Sequence, residues 1–260
     1  MEHSFVICAY KESPYLEDCI RSLKGQIVPS EILMVTSTPN DHISSLAEKY
    51  HIPLYVNEGE SGITQDWNFG SSKTTTKYVT IAHQDDVYAA AYTQNVLKEL
   101  KKKSEALIAF TDYGELRSEQ EVRSNTNLKI KRILLAPLRL KALQKVNAVK
   151  RSVLSLGNPI CCPAVTFHKE LLPEQVFANH FRSNEDWEAW EKLAGREGAF
   201  VYIPTILMYH RIHEGSETSA IIGDNSRSAE DYEMFAKFWP EPVARFLTKA
   251  YSASEKSNKL

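Results

Sequence analysis

The chain has 260 residues, of which 43% are hydrophobic and 25% charged, with a formal net charge of −2. This composition is typical of a soluble globular protein with one large or two small domains. The near-zero charge argues against a nucleic-acid partner, and no apolar run approaches the roughly 20 residues of a membrane-spanning helix. The opening residues, MEHSFVICAY, lack the basic region and cleavage site of a signal peptide.

The four cysteines lack the CxxC spacing of metal and redox motifs. They are Cys8, Cys19, Cys161 and Cys162. We interpret them as reduced, buried thiols and expect a cytoplasmic protein.

Strand and helix patterns alternate through the first 116 residues. Strands are predicted at 4–10, 31–38, 53–58, 77–86 and 105–116, and helices at 13–26, 40–51, 62–74 and 92–103. This order predicts an α/β fold with a mainly parallel central sheet flanked by helices. In such sheets ligands bind at the carboxyl ends of the strands, where the polar endings AYKES, TSTPND, HQDD and TDYGE collect.

The second half of the chain is less regular. Residues 127–153 have helical spacing interrupted by Pro137, and a strand with a turn is predicted at 164–172. A capped helix follows at 183–197 and an extended segment at 199–213.

Residues 127–153 form a basic segment, because ten Lys or Arg and no Asp or Glu occur from Arg123 to Lys169. Two interpretations stay open: a solvated helical face, or contact with anionic lipid or a phosphorylated acceptor. Its predicted apolar side consists of Ile130, Ile133, Leu134, Leu138, Leu143 and Val146.

Asp85 and Asp86 come just after the apolar run 79–82, separated from it by His83 and Gln84. One interpretation is a turn in which Asp86 caps the next helix. The other is a site for Mg²⁺ or Mn²⁺, which favour carboxylate oxygens together with substrate phosphates.

Glu185 and Asp186 fall in the first turn of the predicted helix at 183–197. The helix dipole, with Ser183 or Asn184 as cap, explains two anions there. Alternatively, Asp186 is a general base held on a rigid element. Trp187 and Trp190 lie on one face, either as core residues or as a platform for sugar stacking.

The segment YHRIHEGSETS, residues 209–219, gathers His210, Arg211 and His213. Such a cluster can bind phosphate or complete a metal site, although a solvated loop explains it as well. The sequence contains neither GxGxxG nor GxxxxGK[ST], so it lacks the defining glycines of the Rossmann and P-loop motifs.

Taken in order, these motifs resemble family 2 glycosyltransferases over about residues 4–219. FVICAYKESPYLEDCIRSLKGQ resembles the family's opening strand and helix, EILMVTSTPND its second strand, and GITQDWNFG its G…N.G element. IAHQDD stands at its DXD-like motif, NED at its catalytic E-D motif, and YHRIHEGSETS at its terminal Arg-x-His segment.

The resemblance implies a GT-A fold, a nucleotide-diphosphate sugar donor, Mn²⁺ or Mg²⁺, and inversion at the anomeric carbon. Asp186 and Glu185 become the expected catalytic residues, and Asp85 and His213 the expected metal ligands. The residues expected to bind the nucleotide sugar are Ala9, Tyr10, Glu12, Thr36, Asp66, Asn68, Gln84, Asp85 and Arg211.

Four positions depart from the family pattern. Thr36 and Ser37 stand where an Asp pair usually reads the base, which puts the identity of the nucleotide in doubt. His83 replaces the first Asp of DXD, which is expected to weaken or alter metal binding. Trp67 replaces the Arg that often precedes Asn68.

We therefore predict an inverting, hexosyltransferase-like enzyme. Its GT-A domain is expected at 1–220, with a nucleotide-sugar half at 1–116, an acceptor half at 117–220 and a C-terminal helical tail at 221–260. The expected donor is a UDP-sugar, and the acceptor a glycan, lipid-linked or other hydroxyl in bacterial surface polysaccharide or glycoconjugate synthesis. The expected location is the cytoplasm, with peripheral contact at the inner membrane face. The alternative is a catalytically silent GT-A-like module that binds a sugar or a protein.

Overall fold

A computed structural model describes residues 1–213 and 226–256. Its strands are β1 His3–Cys8, β2 Glu31–Thr36, β3 Leu54–Val56, β4 Tyr78–His83, β5 Val87–Tyr88, β6 Ala106–Arg117, β7 Gln120–Val122, β8 Val165–His168 and β9 Ala199–Ile212. Its α-helices are α1 Leu16–Lys24, α2 Asp41–Lys49, α3 Ile63–Ser72, α4 Tyr92–Leu100, α5 Thr126–Leu134, α6 Asn147–Ser152, α7 Glu185–Ala194, α8 Ser226–Ala236 and α9 Glu241–Lys256.

Within the described residues the strands form one sheet in the order β3-β2-β1-β4-β8-β6-β9-β5, with β7 on β6. β1 pairs in parallel with β2 and β4, β2 with β3, and β6 with β9. β8 runs antiparallel between β4 and β6 and so joins the two parallel groups. The predicted α/β class with a mainly parallel sheet is confirmed.

The central strands are buried on both faces, as expected for parallel strands covered by helices. In β1, Phe5 and Ile7 point into one hydrophobic core and Val6 points into the other. Helix α3 lies close over this strand because residue 70 is glycine: a Cβ there would lie 2.3 Å from Cγ1 of Val6. The close approach brings α3 to the carboxyl end of β1.

The predicted basic segment is not one continuous helix. It consists of α5, two short 3₁₀ turns at Ala136–Arg139 and Leu143–Lys145, and α6. Leu138 is fully buried, whereas Ile130 and Ile133 are exposed. The predicted apolar side is therefore divided between the core and the surface.

The C-terminal helices α8 and α9 pack on the body of the fold. Met234, Phe235 and Ala244 are buried in the same core as Trp187, and the Trp187 and Phe235 rings are 5.1 Å apart. Among the described residues no helix has both the length and the apolar character needed to cross a membrane.

Candidate active site

A cleft of about 600 Å³ opens at the carboxyl ends of β1, β2 and β4, where the sequence predicts ligand binding. Eight of the predicted site residues line it: Ala9, Tyr10, Asp66, Gln84, Asp85, Glu185, Asp186 and His213. The cleft thus brings together side chains that lie up to two hundred positions apart in the sequence.

Tyr10 and Gln84 are joined by a pair of hydrogen bonds at the edge of the cleft. The Tyr10 N–H donates to Gln84 Oε1 at 2.9 Å, and Gln84 Nε2 donates to the Tyr10 carbonyl at 3.0 Å. The next residue, Lys11, has a φ of 53°, a left-handed conformation uncommon outside glycine. Its N–H donates to Thr38 Oγ1 at 2.7 Å, which holds this turn beside the cleft.

Asp66, in the first turn of α3, is tied to two loops. Its carboxylate accepts hydrogen bonds of 2.8 Å from Ser37 Oγ and from Asn57 Nδ2. Ser61 Oγ lies 3.0 Å from Ser37 Oγ. Ser37 and Ser61 also line the cleft, so polar groups surround the end where the sequence predicts the nucleotide.

Four predicted nucleotide-binding residues do not line the cleft. Glu12 is exposed. Thr36 is fully buried at the end of β2, where its Oγ1 accepts a hydrogen bond from the Thr38 N–H. Asn68 exchanges two hydrogen bonds with the backbone of Phe177, at 2.7 and 3.2 Å.

The fourth, Arg211, is 3% exposed and fixes the backbone behind the two aspartates. Its Nε donates to the Asp85 carbonyl at 2.9 Å, and its guanidinium contacts the carboxylates of Asp18 and Glu119. The guanidinium also lies 4.3 Å from the ring centre of Tyr15. Its position supports the loop that carries Asp85.

Asp86 does not cap the following helix, which begins at Tyr92 behind Ala91. Its side chain is fully buried, and Oδ1 accepts hydrogen bonds from His210 Nδ1 at 2.9 Å and from the Arg211 N–H at 3.0 Å. Burial lowers the pKa of His210, but the Asp86 carboxylate, aided by Asp85, outweighs burial and raises this pKa to about 9. The capping interpretation is wrong.

Asp85 points into the cleft beside His213. Its Oδ2 lies 2.9 Å from His213 Nε2, and the His213 ring packs against Tyr15 at 4.8 Å. Burial acts to raise the pKa of Asp85, but the His213 hydrogen bond and the charges of His210 and His83 outweigh it and lower this pKa. Asp85 is therefore an anion in the cleft. Residues 214–219 of the predicted segment lie outside the described residues.

His83, Asp85 and Asp86 offer ligand atoms that all lie within 4.8 Å of one another. Asp86 Oδ2 and His83 Nε2 are both buried and have no hydrogen-bond partner among the described residues. The His83 ring is stacked on Trp67 at 5.3 Å with an interplanar angle of 14°. Unsatisfied acceptors beside an anionic carboxylate are consistent with a bound divalent cation.

Asp186 also lines the cleft, from the first turn of α7. Its Oδ2 accepts a hydrogen bond of 2.8 Å from Asn158 Nδ2, and its Oδ1 accepts from the Trp187 N–H at 2.7 Å. Burial raises the pKa of Asp186, and these two hydrogen bonds oppose the rise. A carboxylate with a raised pKa in a cleft is a candidate proton acceptor.

Glu185 lies deeper, at 6% exposure. Burial raises its pKa to about 8, with further contributions from Asp186 and Glu230, while Arg227 opposes them. Glu185 is therefore largely protonated at neutral pH and can donate a hydrogen bond.

Helix α8 supplies contacts to the start of α7 that the sequence did not suggest. Glu230 accepts hydrogen bonds of 2.9 Å from the N–H groups of Arg182 and Ser183. Asn184 occupies the N-cap position of α7 without a capping hydrogen bond, and its Nδ2 donates instead to Asp231 Oδ1 at 2.9 Å. Arg227 lines the cleft.

Trp187 and Trp190 are fully buried. Trp187 Nε1 donates to the Leu154 carbonyl at 3.1 Å, and the Trp190 ring lies 5.8 Å from Phe167. They are core residues, and the sugar-stacking interpretation is wrong.

Solved structures with the same fold include nucleotide-sugar enzymes. The crystal structure of S. aureus TarS 1–349 superposes with a TM-score of 0.64 at 12% identity, covering 95% of this chain and 69% of TarS 1–349. The complex of TarS 1–349 with UDP-GlcNAc superposes with a TM-score of 0.62 at 14% identity, covering 95% of this chain and 70% of TarS 1–349. The mannosyltransferase PcManGT from Pyrobaculum calidifontis, in complex with GDP-Man and Mn²⁺, superposes with a TM-score of 0.64 at 15% identity. The match covers 100% of this chain and 76% of PcManGT. The fold is of the GT-A type.

A sequence model of glycosyl transferase family 2 matches residues 4–155, more than half of the chain. The chain belongs to glycosyl transferase family 2, as its motifs predict. No curated protein matches the sequence.

Proposed function

We propose that the protein is an inverting, metal-dependent glycosyltransferase that moves a sugar from a nucleoside-diphosphate sugar to an acceptor hydroxyl. One observation carries the proposal. Asp85, His213 and Asp186 line the same space of about 600 Å³. That space lies within the range of ligand pockets, about 300–1,000 Å³.

The nucleotide would occupy the end of the cleft lined by Ala9, Tyr10, Asp66 and Gln84. Asp66, already bonded to Ser37 and Asn57, offers carboxylate oxygens to a base or ribose. Arg211, Thr36 and Asn68 would act from behind the cleft by holding the loops in place. We retain Glu12 as a proposed nucleotide-binding residue because it lies in the turn that follows β1.

In the proposed reaction Asp186 takes the proton of the acceptor hydroxyl. At the same time the oxygen of that hydroxyl attacks the anomeric carbon of the donor sugar. The new C–O bond forms on the face opposite the diphosphate, and the old C–O electron pair leaves on the diphosphate oxygen. Displacement from the opposite face inverts the anomeric carbon. Asn158 would orient Asp186, and neutral Glu185 would donate a hydrogen bond to a sugar hydroxyl.

Asp85, Asp86, His83 and His213 would hold the divalent cation. When bound, the cation supplies positive charge that stabilises the diphosphate leaving group. Asp85 contributes to this role as an anion facing the cleft.

The donor in this proposal is a UDP-sugar. UDP-GlcNAc in a TarS complex and GDP-Man in PcManGT support a nucleotide-sugar donor of this kind. The proposed acceptor is a glycan, lipid-linked or other hydroxyl in surface polysaccharide or glycoconjugate synthesis. The proposal also includes a cytoplasmic location and contact with an anionic membrane. These parts rest on the family resemblance and on the exposed basic segment.

Thermal unfolding with a panel of UDP-, GDP- and dTDP-sugars, each with Mn²⁺, tests the donor site. A ligand at 100 times its Kd stabilises the native state by about 2.7 kcal/mol. We expect a rise in Tm with a UDP-sugar and slow release of UDP from it. If no nucleotide raises the Tm and no donor is hydrolysed, the silent-module alternative replaces the enzyme.

A further inference from the structure

We propose that His83 makes the cation site a mixed nitrogen and oxygen site, which selects first-row transition-metal ions such as Mn²⁺ and Co²⁺ over Mg²⁺. The proposal rests on the function proposed above and specifies the metal chemistry of the same site. It concerns three side chains at the end of β4: His83, Asp85 and Asp86.

The three side chains are arranged closely enough to share one ion. Their ligand atoms lie within 4.8 Å of one another, and His83 Nδ1 is 4.0 Å from Asp86 Oδ2. Ligand atoms placed about 2.1 Å from one metal ion are separated by about 3 to 4 Å, so small movements complete the set.

Two buried side-chain atoms of His83 and Asp86 lack a hydrogen-bond partner in the described part of the chain. Asp86 is fully buried, and while its Oδ1 accepts two hydrogen bonds, its Oδ2 accepts none. His83 Nε2 is also buried without a partner. A buried acceptor without a partner is unfavourable, and a cation at this point would satisfy the carboxylate oxygen.

The His83 ring is held in its orientation. It stacks on Trp67 at 5.3 Å, and Trp67 in turn makes an edge contact with Phe177 at 4.6 Å. A ring held by stacking presents its nitrogen without losing further rotational freedom when it binds an ion. Trp67 thereby acquires a role as the support of His83.

The chemistry of the donor set determines the selectivity. Mg²⁺ demands oxygen ligands in near-ideal octahedral geometry, whereas imidazole suits transition-metal ions. Affinity at a site with nitrogen ligands rises from Mn²⁺ to Co²⁺ in the Irving–Williams order. His83 in the place of a carboxylate also removes one negative charge, which weakens Mg²⁺ binding most.

Calorimetric titration of the protein with MgCl₂, MnCl₂ and CoCl₂, without nucleotide, tests the proposal. We expect Co²⁺ to bind tightest and Mn²⁺ at least 10-fold tighter than Mg²⁺. His83→Asp should reduce the Mn²⁺/Mg²⁺ affinity ratio at least 5-fold. The matched control is His180→Gln, a half-exposed histidine outside the cluster, which should leave the ratio unchanged.

Pulsed electron paramagnetic resonance of bound Mn²⁺ provides a second measurement. We expect nitrogen couplings in the wild-type protein and one fewer coupled nitrogen in His83→Asp. An unchanged affinity ratio in His83→Asp, an unchanged nitrogen count, or a wild-type protein that binds Mg²⁺ as tightly as Mn²⁺ would overturn the proposal. In that case the 4.0 Å approach of His83 to Asp86 has only a structural role.

The metal titrations need neither donor nor acceptor, so their outcome is separate from that of the glycosyltransferase proposal. Failure of metal selectivity with intact UDP-sugar binding refutes the role of His83 alone. Transition-metal selectivity without binding of any nucleotide supports the role of His83 and refutes the proposed enzyme.

Discussion

The side-chain amide of Asn158 donates a hydrogen bond of 2.8 Å to Oδ2 of Asp186. The bond favours the charged form of the carboxylate, while burial favours the neutral form and raises the pKa. Asn158 therefore keeps Asp186 available as a base at lower pH than burial alone would allow. It also fixes the direction in which one of the two oxygens points.

Removal of this hydrogen bond should shift the pH dependence of sugar transfer. A hydrogen bond to a charged group contributes about 1.5–3 kcal/mol, and one pKa unit corresponds to about 1.4 kcal/mol. In Asn158→Ala we expect the acidic limb of the kcat profile to move up by about one pH unit or more, with the donor KM nearly unchanged. An unshifted profile would show that Asn158 serves only to support the loop.

Asp186→Asn should bind the donor normally and lose most sugar transfer. Asn keeps the size of the side chain but cannot accept the proton, and loss of a positioned base costs about 10²- to 10⁴-fold in rate. Glu185→Gln should be milder, because Glu185 is already largely neutral. Near wild-type transfer by the Asp186 variant would refute the mechanism, and a fall in Tm parallel to activity would indicate a structural role.

Asp85→Ala should abolish metal-dependent donor binding and leave the fold intact. The carboxylate lines the cleft just beyond β4, and its side-chain contact in the described part of the chain is with His213. Calorimetry with UDP, in the presence and absence of Mn²⁺, measures the effect, and circular dichroism checks the fold. Undiminished Mn²⁺-dependent affinity in the variant would remove Asp85 from the cation site.

Glu185→Gln should stabilise the protein increasingly as pH rises. The pKa of Glu185 is raised from 4.5 to about 8 in the folded state, so between these values the native state binds more protons than the unfolded state. The stability of the wild-type protein therefore falls as pH rises from 4.5 to about 8. The Gln variant has no ionisable group at this position, so its stability does not fall for this reason. We expect equal Tm values near pH 4 and a gain of several degrees at pH 8.

Glu197→Gln, at an exposed position just beyond α7, is the control for this comparison. The Tm of Glu197→Gln should equal that of the wild-type protein at every pH. A constant difference between Glu185→Gln and the wild type across the range would show that the effect arises from packing and not from ionisation.

Contact with an anionic membrane would depend on the exposed isoleucines of α5. Ile130 is 46% and Ile133 69% exposed, beside Lys129. Flotation with phosphatidylserine-containing liposomes should recover the wild-type protein at low salt, and the double variant Ile130→Ser/Ile133→Ser should float several-fold less. Phe246→Ser, a 70% exposed position on α9, is the control. Equal recovery with and without anionic lipid would refute the membrane contact.

The first half of the fold could be predicted because its signals are local. Buried parallel strands appear as short apolar runs, and each is followed by an amphipathic helix. β8 was recognisable as a strand, but its direction was not, since nothing local shows that it runs antiparallel between β4 and β6. The burial of side chains in the basic segment could not be predicted from local sequence either. Leu138 and Ile133 are equally apolar, yet Leu138 is buried and Ile133 is exposed.

The residues that line the candidate cleft were predictable where motifs stand just beyond a strand, as at Asp85, or at a helix start, as at Asp186. Asn158 and Glu230 were not, because each reaches the site from a distant part of the chain without a local pattern. Glu230 in particular lies in a segment that reads as an exposed helical tail, and only the packing of α8 shows its three-dimensional role. Asp86 was misjudged as a cap for the same reason, since its partners are more than 120 positions away.

Glu230 holds Arg182 and Ser183 from a helix that is synthesised after them. During translation the ribosome therefore releases Glu185 and Asp186 before it releases Glu230, which holds the residues just ahead of α7. We expect a nascent chain to pair its sheet and form the end of the cleft lined by Ala9, Tyr10 and Gln84 while α7 is still loosely attached. Unfinished chains would then bind donor without consuming it, so that the order of synthesis itself delays activity until α8 has docked.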